Sequence, residues 1–392
     1  MGQARRIKRV ILHAGLPKTA TTSIQNALFG NARLLRDRNG ILYPGPEANH
    51  TDALCTAFLD DPRRHITNAL AGLTDLTALR NLAAAIRERL RAEIEASRAD
   101  TVLFSAEGFS NLDEFELAGF RDWALGFAET LSVLFVVREP LRHTTSVIQQ
   151  HLKGGEVLEA LYDAPPLPNF RGRLGAAIRA FGREAITVAA FETLQAHDEG
   201  VVGGFLDLVG ISSGPARRAV LSAQRVENAS LSHLAALLLS SINRQRPALI
   251  DGRPGPRRTM SELATLGGIR GEKFRLPPEV AARIVESCRD DAAWLRQTFG
   301  IADYDDPAVP DAPAPAAPAA AAIDSLALIL SNLMNDRHAT ALIGQAGSLD
   351  PERQRVELAA IAETVGRIAP ERALPGFLAD AVLPRQMVES PT

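Results

Sequence analysis

Short unbroken apolar runs alternate along this chain with longer stretches whose apolar residues recur at helical spacing. Val10-Ile11-Leu12, Thr101 to Phe104, Leu131 to Val137 and Ile186 to Phe191 read as strands, and Ile41-Leu42-Tyr43 as a short extended piece. Between them, Ile24, Ala27 and Leu28 mark one helix face. Leu76, Leu79, Leu82, Ile86, Leu90 and Ile94 mark a long amphipathic helix over residues 74–99. Further helical patterns cover 174–183, a segment closing at Phe205 to Gly210, a stretch opened by Asn228 or Ser230 and running to Ile242, and Val280 to Phe299. Strands alternating with helices predict an α/β fold: a central parallel sheet flanked by helices, in three layers.

The pattern changes twice. Gly154 to Arg173, with Pro165, Pro166, Pro168 and Gly172, reads as a long irregular insert of the kind that forms a lid. Beyond the last helix, the Pro/Ala run Asp305 to Ala322 reads as a semi-rigid linker. The expected organisation is an α/β domain over 1–303, a linker over 304–322 and a small helical C-terminal region over 323–392. In that last region Leu326, Ile329, Leu330 and Leu333 share one helix face.

Composition narrows the function classes. A chain of 392 residues with 46% hydrophobic and 23% charged residues has the make-up of a globular protein. A net charge of −3 supplies no basic field for nucleic acid. Cys55 and Cys288 are too few for a disulfide framework and lack metal-ligand spacing. No apolar run approaches the ~20 residues of a membrane span, and the N-terminus shows no apolar signal core, so the cytoplasm is the expected compartment.

The chemistry concentrates between Val10 and Leu28, VILHAGLPKTATTSIQNAL. A strand breaks at Gly15-Leu16-Pro17, presents Lys18-Thr19-Ala20-Thr21-Thr22-Ser23, and continues as a helix. Free N–H groups at a helix N-terminus, the helix dipole and a lysine together make an anion cradle, suited to phosphate or sulfate. The nucleotide-triphosphatase loop has glycine before its lysine; here Pro17 stands there. A helix that merely begins with capping threonines is the plain alternative.

A second station follows the most apolar strand. Arg138-Glu139-Pro140 ends it, with Ser146 eight residues beyond Arg138. An arginine and a hydroxyl suit a second phosphate, where a metal-dependent kinase would present an aspartate. Two anion stations far apart in sequence point to a nucleotide phosphorylated at both ends. Glu107, in Ser105-Ala106-Glu107-Gly108, sits at another strand end, where open parallel sheets bind ligands.

Pro17-Lys18-Thr19-Ala20-Thr21-Thr22-Ser23 resembles the 5′-phosphosulfate loop of the sulfotransferases that use 3′-phosphoadenylyl sulfate (PAPS), written P-K-T-G-T-T-S. It departs at Ala20, where the family has glycine; alanine is tolerable there in the right-handed region and costly if φ is positive. Arg138 to Ser146 has the spacing of the family's 3′-phosphate motif, and the resemblance covers roughly residues 8–302. It implies a P-loop-type sandwich of bacterial type, with PAPS as donor and no metal. Lys18, Thr19, Ala20, Thr21, Thr22, Ser23, Arg138 and Ser146 would bind the nucleotide, with Lys18 catalytic. The family uses either a glutamate or a histidine as base, which makes Glu107 and His50 the candidates. The acceptor is expected to be a carbohydrate or small metabolite. Arg270 and Lys273 fall where a late basic loop often covers the nucleotide. A small-molecule kinase and a non-catalytic nucleotide-binding scaffold are the alternatives.

Overall fold

The computed structural model describes residues 6–224, 230–245, 249–250, 253–254, 266–269, 271–302, 304, 323 and 327. The strands are β1 (Ile7–His13), β2 (Ile41–Leu42), β3 (Thr101–Ser105), β4 (Ala128–Val137) and β5 (Ile186–Ala190), with a short pair β6 (Leu249–Ile250) and β7 (Arg253–Pro254). The helices begin with α1 (Thr21–Gly30), α2 (Ala32–Asn39), α3 (Thr51–Phe58), α4 (Ile66–Leu70), α5 (Leu76–Ala96), α6 (Glu114–Leu125) and α7 (Pro140–Gly154). They continue with α8 (Leu158–Asp163), α9 (Phe170–Phe181), α10 (Phe191–Gln195), α11 (Gly200–Leu208), α12 (Pro215–Ser222), α13 (His233–Gln245) and α14 (Pro278–Phe299).

The first five strands form one sheet in the order β2-β3-β1-β4-β5, every neighbouring pair parallel. Leu12 lies opposite Phe104 on one side and Val133 on the other, so the central strand is apolar on both faces, as parallel sheets covered by helices require. Alternation sorts the side chains. Val10, Leu12, Val102, Phe104, Val133 and Phe135 join a core with α3, α5, α6 and α9, while Ile11, Leu103 and Leu134 join another with α1, α2, α11 and α12. This is the expected α/β sandwich.

The chain divides into two compact units: 1–143 with 167–227 and 285–307, and 144–166 with 228–284 and 308–392. The first holds the sheet. In the second, the Asn243 amide donates to the carbonyls of Leu152 and Glu156 at 2.7 and 2.6 Å, and Ser240 accepts from Leu158 N–H at 2.8 Å.

Local departures from the expected pattern have local causes. Helix α2, ARLLRDRN, buries only Leu35, so its sequence carries no apolar stripe. Helix α6 opens with a capping box between Asp113 and Glu116, a signal carried by adjacent residues. On α5 the buried stripe passes through Ala83 rather than Leu82, which is exposed. The segment 154–173 is not irregular throughout: it holds α8 and the first turn of α9. Tyr304, at the start of the expected linker, is buried against Phe170. The rest of 304–322 and of the expected helical region 323–392 lies outside the described residues, apart from Ile323 and Ala327.

Candidate active site

Strand β1 is central, so its C-terminal end opens between two neighbours, and the chain leaves it in a turn anchored to β4. Ala14 N–H donates to Leu134 O at 3.0 Å, Leu16 N–H to Val136 O at 2.8 Å, and Val136 N–H to Gly15 O at 2.6 Å. Gly15 has φ 96°, and a Cβ there would stand 2.9 Å from the Glu107 carbonyl oxygen. Only glycine lets the turn lie this close to the end of β3. Thr19, fully buried, donates its hydroxyl to Leu16 O at 2.6 Å and closes the turn.

Lys18 and Ala20 both adopt the left-handed conformation, with φ 68° and 61°. Ala20 is therefore the costly case: a Cβ in this region costs roughly 1–2 kcal/mol that glycine would not incur. It is the N-cap of α1, and it offers no side-chain oxygen to the helix. No acidic residue lies in the first turn, and the N–H groups of Thr21, Thr22 and Ser23 precede the first helical bond, from Ile24 N–H to Ala20 O. A helix N-terminus without an internal cap keeps its partial positive charge available to an outside anion.

Glu107 stands beside this cradle. Half-buried just after β3, it accepts a short hydrogen bond from the Thr21 hydroxyl, which ties the carboxylate to the first residue of α1. Ser110 Oγ donates to the Glu107 carbonyl at 2.9 Å, and Thr51 Oγ1 accepts from Gly108 N–H at 3.2 Å. Thr21 holds the carboxylate, while Ser110 and Thr51 hold the backbone on which it stands.

His50 is placed differently. It is buried, its Nδ1 accepts from Ser105 N–H at 2.9 Å, and its Nε2 lies 2.6 Å from the Pro44 carbonyl. An acceptor at Nδ1 puts the proton on Nε2, which donates to that carbonyl. Both ring nitrogens are thus spent on the backbone, and burial lowers the pKa to about 4. The ring joins three segments: β3, the chain after β2 and the start of α3. This arrangement leaves it no nitrogen for a substrate proton.

Arg138 follows β4 directly. Its Nη1 donates to the Lys18 carbonyl at 3.1 Å, and its guanidinium lies 5.0 Å from the centre of the Phe191 ring. One bond thus joins the two predicted anion stations. Its Nε is buried and has no hydrogen-bond partner among the described residues. Burial lowers the pKa of this arginine, and Glu192 opposes the shift. Ser146 is half-buried on α7 in the second unit. Lys273 is an exposed residue of that unit, bridged to Ser232; Arg270 and Asn228 lie outside the described residues.

Sequence reasoning missed three contributors. Glu139 fills the N-terminus of α7, its carboxylate accepting from Leu141 and Arg142 N–H at 2.7 and 2.8 Å. Glu192 accepts from Glu139 N–H at 3.3 Å and lies 2.7 Å from the Tyr304 hydroxyl. His143 is buried in the first turn of α7, where Arg138, Arg173 and Lys18 all act on it. The helix-capping glutamate was visible as Arg-Glu-Pro before a helix; the other two depend on contacts distant in sequence.

The donor set fits an oxyanion: a helix N-terminus without a side-chain cap, a lysine in the turn and an arginine with a buried N–H that lacks a partner among the described residues. No protein-family model matches this chain, and no curated protein matches it. One similar solved structure is described as the crystal structure of a sulfotransferase from Alicyclobacillus acidocaldarius. It is 17% identical over 54% of this chain and 89% of that one, with a TM-score of 0.32, a level that carries no argument for a shared activity.

Proposed function

We propose that this protein is a sulfotransferase that moves the sulfuryl group of PAPS to a hydroxyl or amine of a carbohydrate or small metabolite. One observation supports this reading most. The turn Pro17 to Ser23 forms an uncapped cradle, and Arg138 binds its backbone at Lys18 while keeping a buried N–H unpartnered. Bound PAPS would supply the sulfuryl electrophile, with adenosine 3′,5′-bisphosphate (PAP) as the leaving nucleotide. Lys18 and the N–H groups opening α1 stabilise charge on the 5′-phosphate side, with Thr22 and Ser23 offering hydroxyls. Arg138 holds the 3′-phosphate. Glu107 takes the acceptor's proton, because its carboxylate is anchored beside the cradle while both His50 nitrogens face backbone. A pocket bordered by Gly45, Asn49, Asp52, Ile86 and Arg89 offers mixed polar and apolar walls for the acceptor.

The test is direct. PAPS and a panel of hydroxyl and amine acceptors are incubated with the protein, and sulfated product is followed by mass spectrometry. In parallel, melting temperature is recorded with PAPS, PAP and Mg·ATP, since ligands of the folded state raise it by mass action. Stabilisation by PAP and PAPS with product formation is expected. Stabilisation by Mg·ATP alone would replace this reading with a kinase. Strong PAP binding without product from any acceptor would favour a binding scaffold.

A further inference from the structure

Three side chains of the first unit carry buried nitrogens without a hydrogen bond of normal geometry among the described residues: His143 at Nδ1 and Nε2, with the Pro17 carbonyl beside its ring, Arg138 at Nε and Arg173 at Nη1. Leaving a buried donor unmatched is destabilising, and native interiors allow few such groups. Tyr304 stacks on Phe170 and donates to the Val137 carbonyl at 3.0 Å, which sets the first turn of α9, with Arg173, beside the end of β4, where Arg138 and His143 follow. His143 is 2% exposed, so its ring is not simply turned to solvent.

The charge around this cluster has one sign. The groups acting on the His143 ring are Arg173, Arg138 and Lys18, all cations, with only the Pro17 carbonyl opposing them. Carboxylates lie nearby but are engaged elsewhere. Asp291, the counter-charge of Arg173, accepts from Phe170 and Arg171 N–H at 2.6 and 2.7 Å and so caps α9. Glu139 caps α7, and Glu192 meets Glu139 N–H and Tyr304. Two half-buried arginines, each with a buried N–H that lacks a partner among the described residues, call for an anion. A tetrahedral oxyanion presents acceptors in several directions and can take all three donors at once, which a flat carboxylate does less well.

We propose that His143 and Arg173 are binding residues for a phosphate or sulfate group, completing with Arg138 an oxyanion pocket beside the Lys18 turn. The ligand's identity rests on the donor reading above: the group is either the 3′-phosphate of the nucleotide or an anionic substituent of the acceptor. In both cases His143 is neutral in the empty pocket and donates one ring N–H. An anion there favours the protonated ring, so the two nitrogens become two donors.

Isothermal titration of the full chain with PAP, adenosine 5′-phosphosulfate and inorganic sulfate tests the pocket, comparing wild type with Arg173→Gln. Arg171→Gln, an exposed arginine on the same helix, serves as control. Loss of one charge-assisted contact predicts roughly tenfold to hundredfold weaker binding in Arg173→Gln. Loss for PAP with adenosine 5′-phosphosulfate unchanged assigns the pocket to the 3′-phosphate. Loss for sulfate with both nucleotides unchanged assigns it to an acceptor anion. Sulfate binding that needs Arg173 in a chain binding neither nucleotide would end the donor reading while the pocket stands. Affinities unchanged by Arg173→Gln for all three ligands, or no binding at all, would overturn the proposal. If Arg173→Gln does not fold, the wild-type His143 ring nitrogens are followed by 15N NMR during addition of PAP or sulfate. A shift toward the protonated ring is expected, and an unmoved ring at saturation overturns it.

Discussion

Helices α1 and α7 each follow a strand of the same sheet, yet their N-termini are finished in opposite ways. The α7 terminus is closed by its own chain, with both Glu139 oxygens on the Leu141 and Arg142 N–H groups. The α1 terminus has no side-chain cap and no acidic residue in its first turn, and it begins from a left-handed alanine beside a lysine. Two buried histidines repeat the contrast. His50 spends both ring nitrogens on backbone, whereas His143 has only the Pro17 carbonyl beside its ring and no hydrogen bond of normal geometry among the described residues. Satisfied polar groups hold a fold together; unsatisfied ones at a strand end mark where a ligand supplies the missing partner.

The contrast is most sharply broken on its open side. Lys18→Ala should reduce sulfuryl transfer by at least the 10²–10³-fold typical of losing one oxyanion donor, while the melting temperature without ligand stays close to wild type. A variant that unfolds instead would place Lys18 among the structural residues. Glu107→Gln should lower kcat by roughly 10²–10⁴-fold, the usual contribution of a general base. Its amide can still accept from Thr21, so PAP affinity should hold; equal loss of binding and rate would make Glu107 a scaffold for the turn.

On the closed side the order of effects reverses. His50→Phe should cost roughly 2–3 kcal/mol of stability, since it strands the Pro44 carbonyl and the Ser105 N–H, and denaturant titration would read it. The same residue contributes to pH dependence. Burial lowers the pKa of His50 to about 4, and of His13 and His143 to about 3. The unfolded chain takes up these protons near pH 6.5 and the folded chain does not. Stability from each ring is therefore complete above about pH 6.5 and is lost as pH falls toward the folded value, by up to about 1.4 kcal/mol per unit. His50→Phe should flatten that slope between about pH 6.5 and 4, and an unchanged slope would mean that carboxylates dominate it.

Smaller effects sharpen the picture. Arg138→Ala should weaken PAP binding roughly tenfold to hundredfold and ATP binding less, because ATP lacks a 3′-phosphate; equal losses would remove Arg138 from that role. Ala20→Gly should raise stability by roughly 1 kcal/mol, as it relieves a left-handed alanine, and a melting curve would show a rise of a few degrees. Activity should be retained. A large loss of activity would mean that the alanine methyl shapes the cradle.

Much of the site was legible because it is local. Gly15, Lys18 and Thr21 lie within a few residues of one another, and a strand followed by a turn and a helix dictates the cradle from neighbouring positions. Arg138 was legible as a strand-end arginine, and Glu107 as a strand-end carboxylate. The roles of the two histidines were not. His50 sits one residue before α3 and resembles a family base, but its bonds run to Pro44 and to Ser105, 55 residues away. His143 lies within a readable motif, yet the charge of Arg173 reaches it from a separate helix.

The chain's sequence by itself determined the alternation of strands and helices, the turn chemistry between β1 and α1, and the positions of its main charged candidates, because each follows from hydrophobic period and adjacent residues. The tertiary structure alone decided the left-handed cost at Ala20, the pairing of Thr21 with Glu107, the closed state of His50 and the open one of His143. Those depend on which strand ends the sheet order β2-β3-β1-β4-β5 brings side by side and on which donors burial leaves without a partner. Hydrogen-bond satisfaction is a property of neighbours in space, and no run of residues states it.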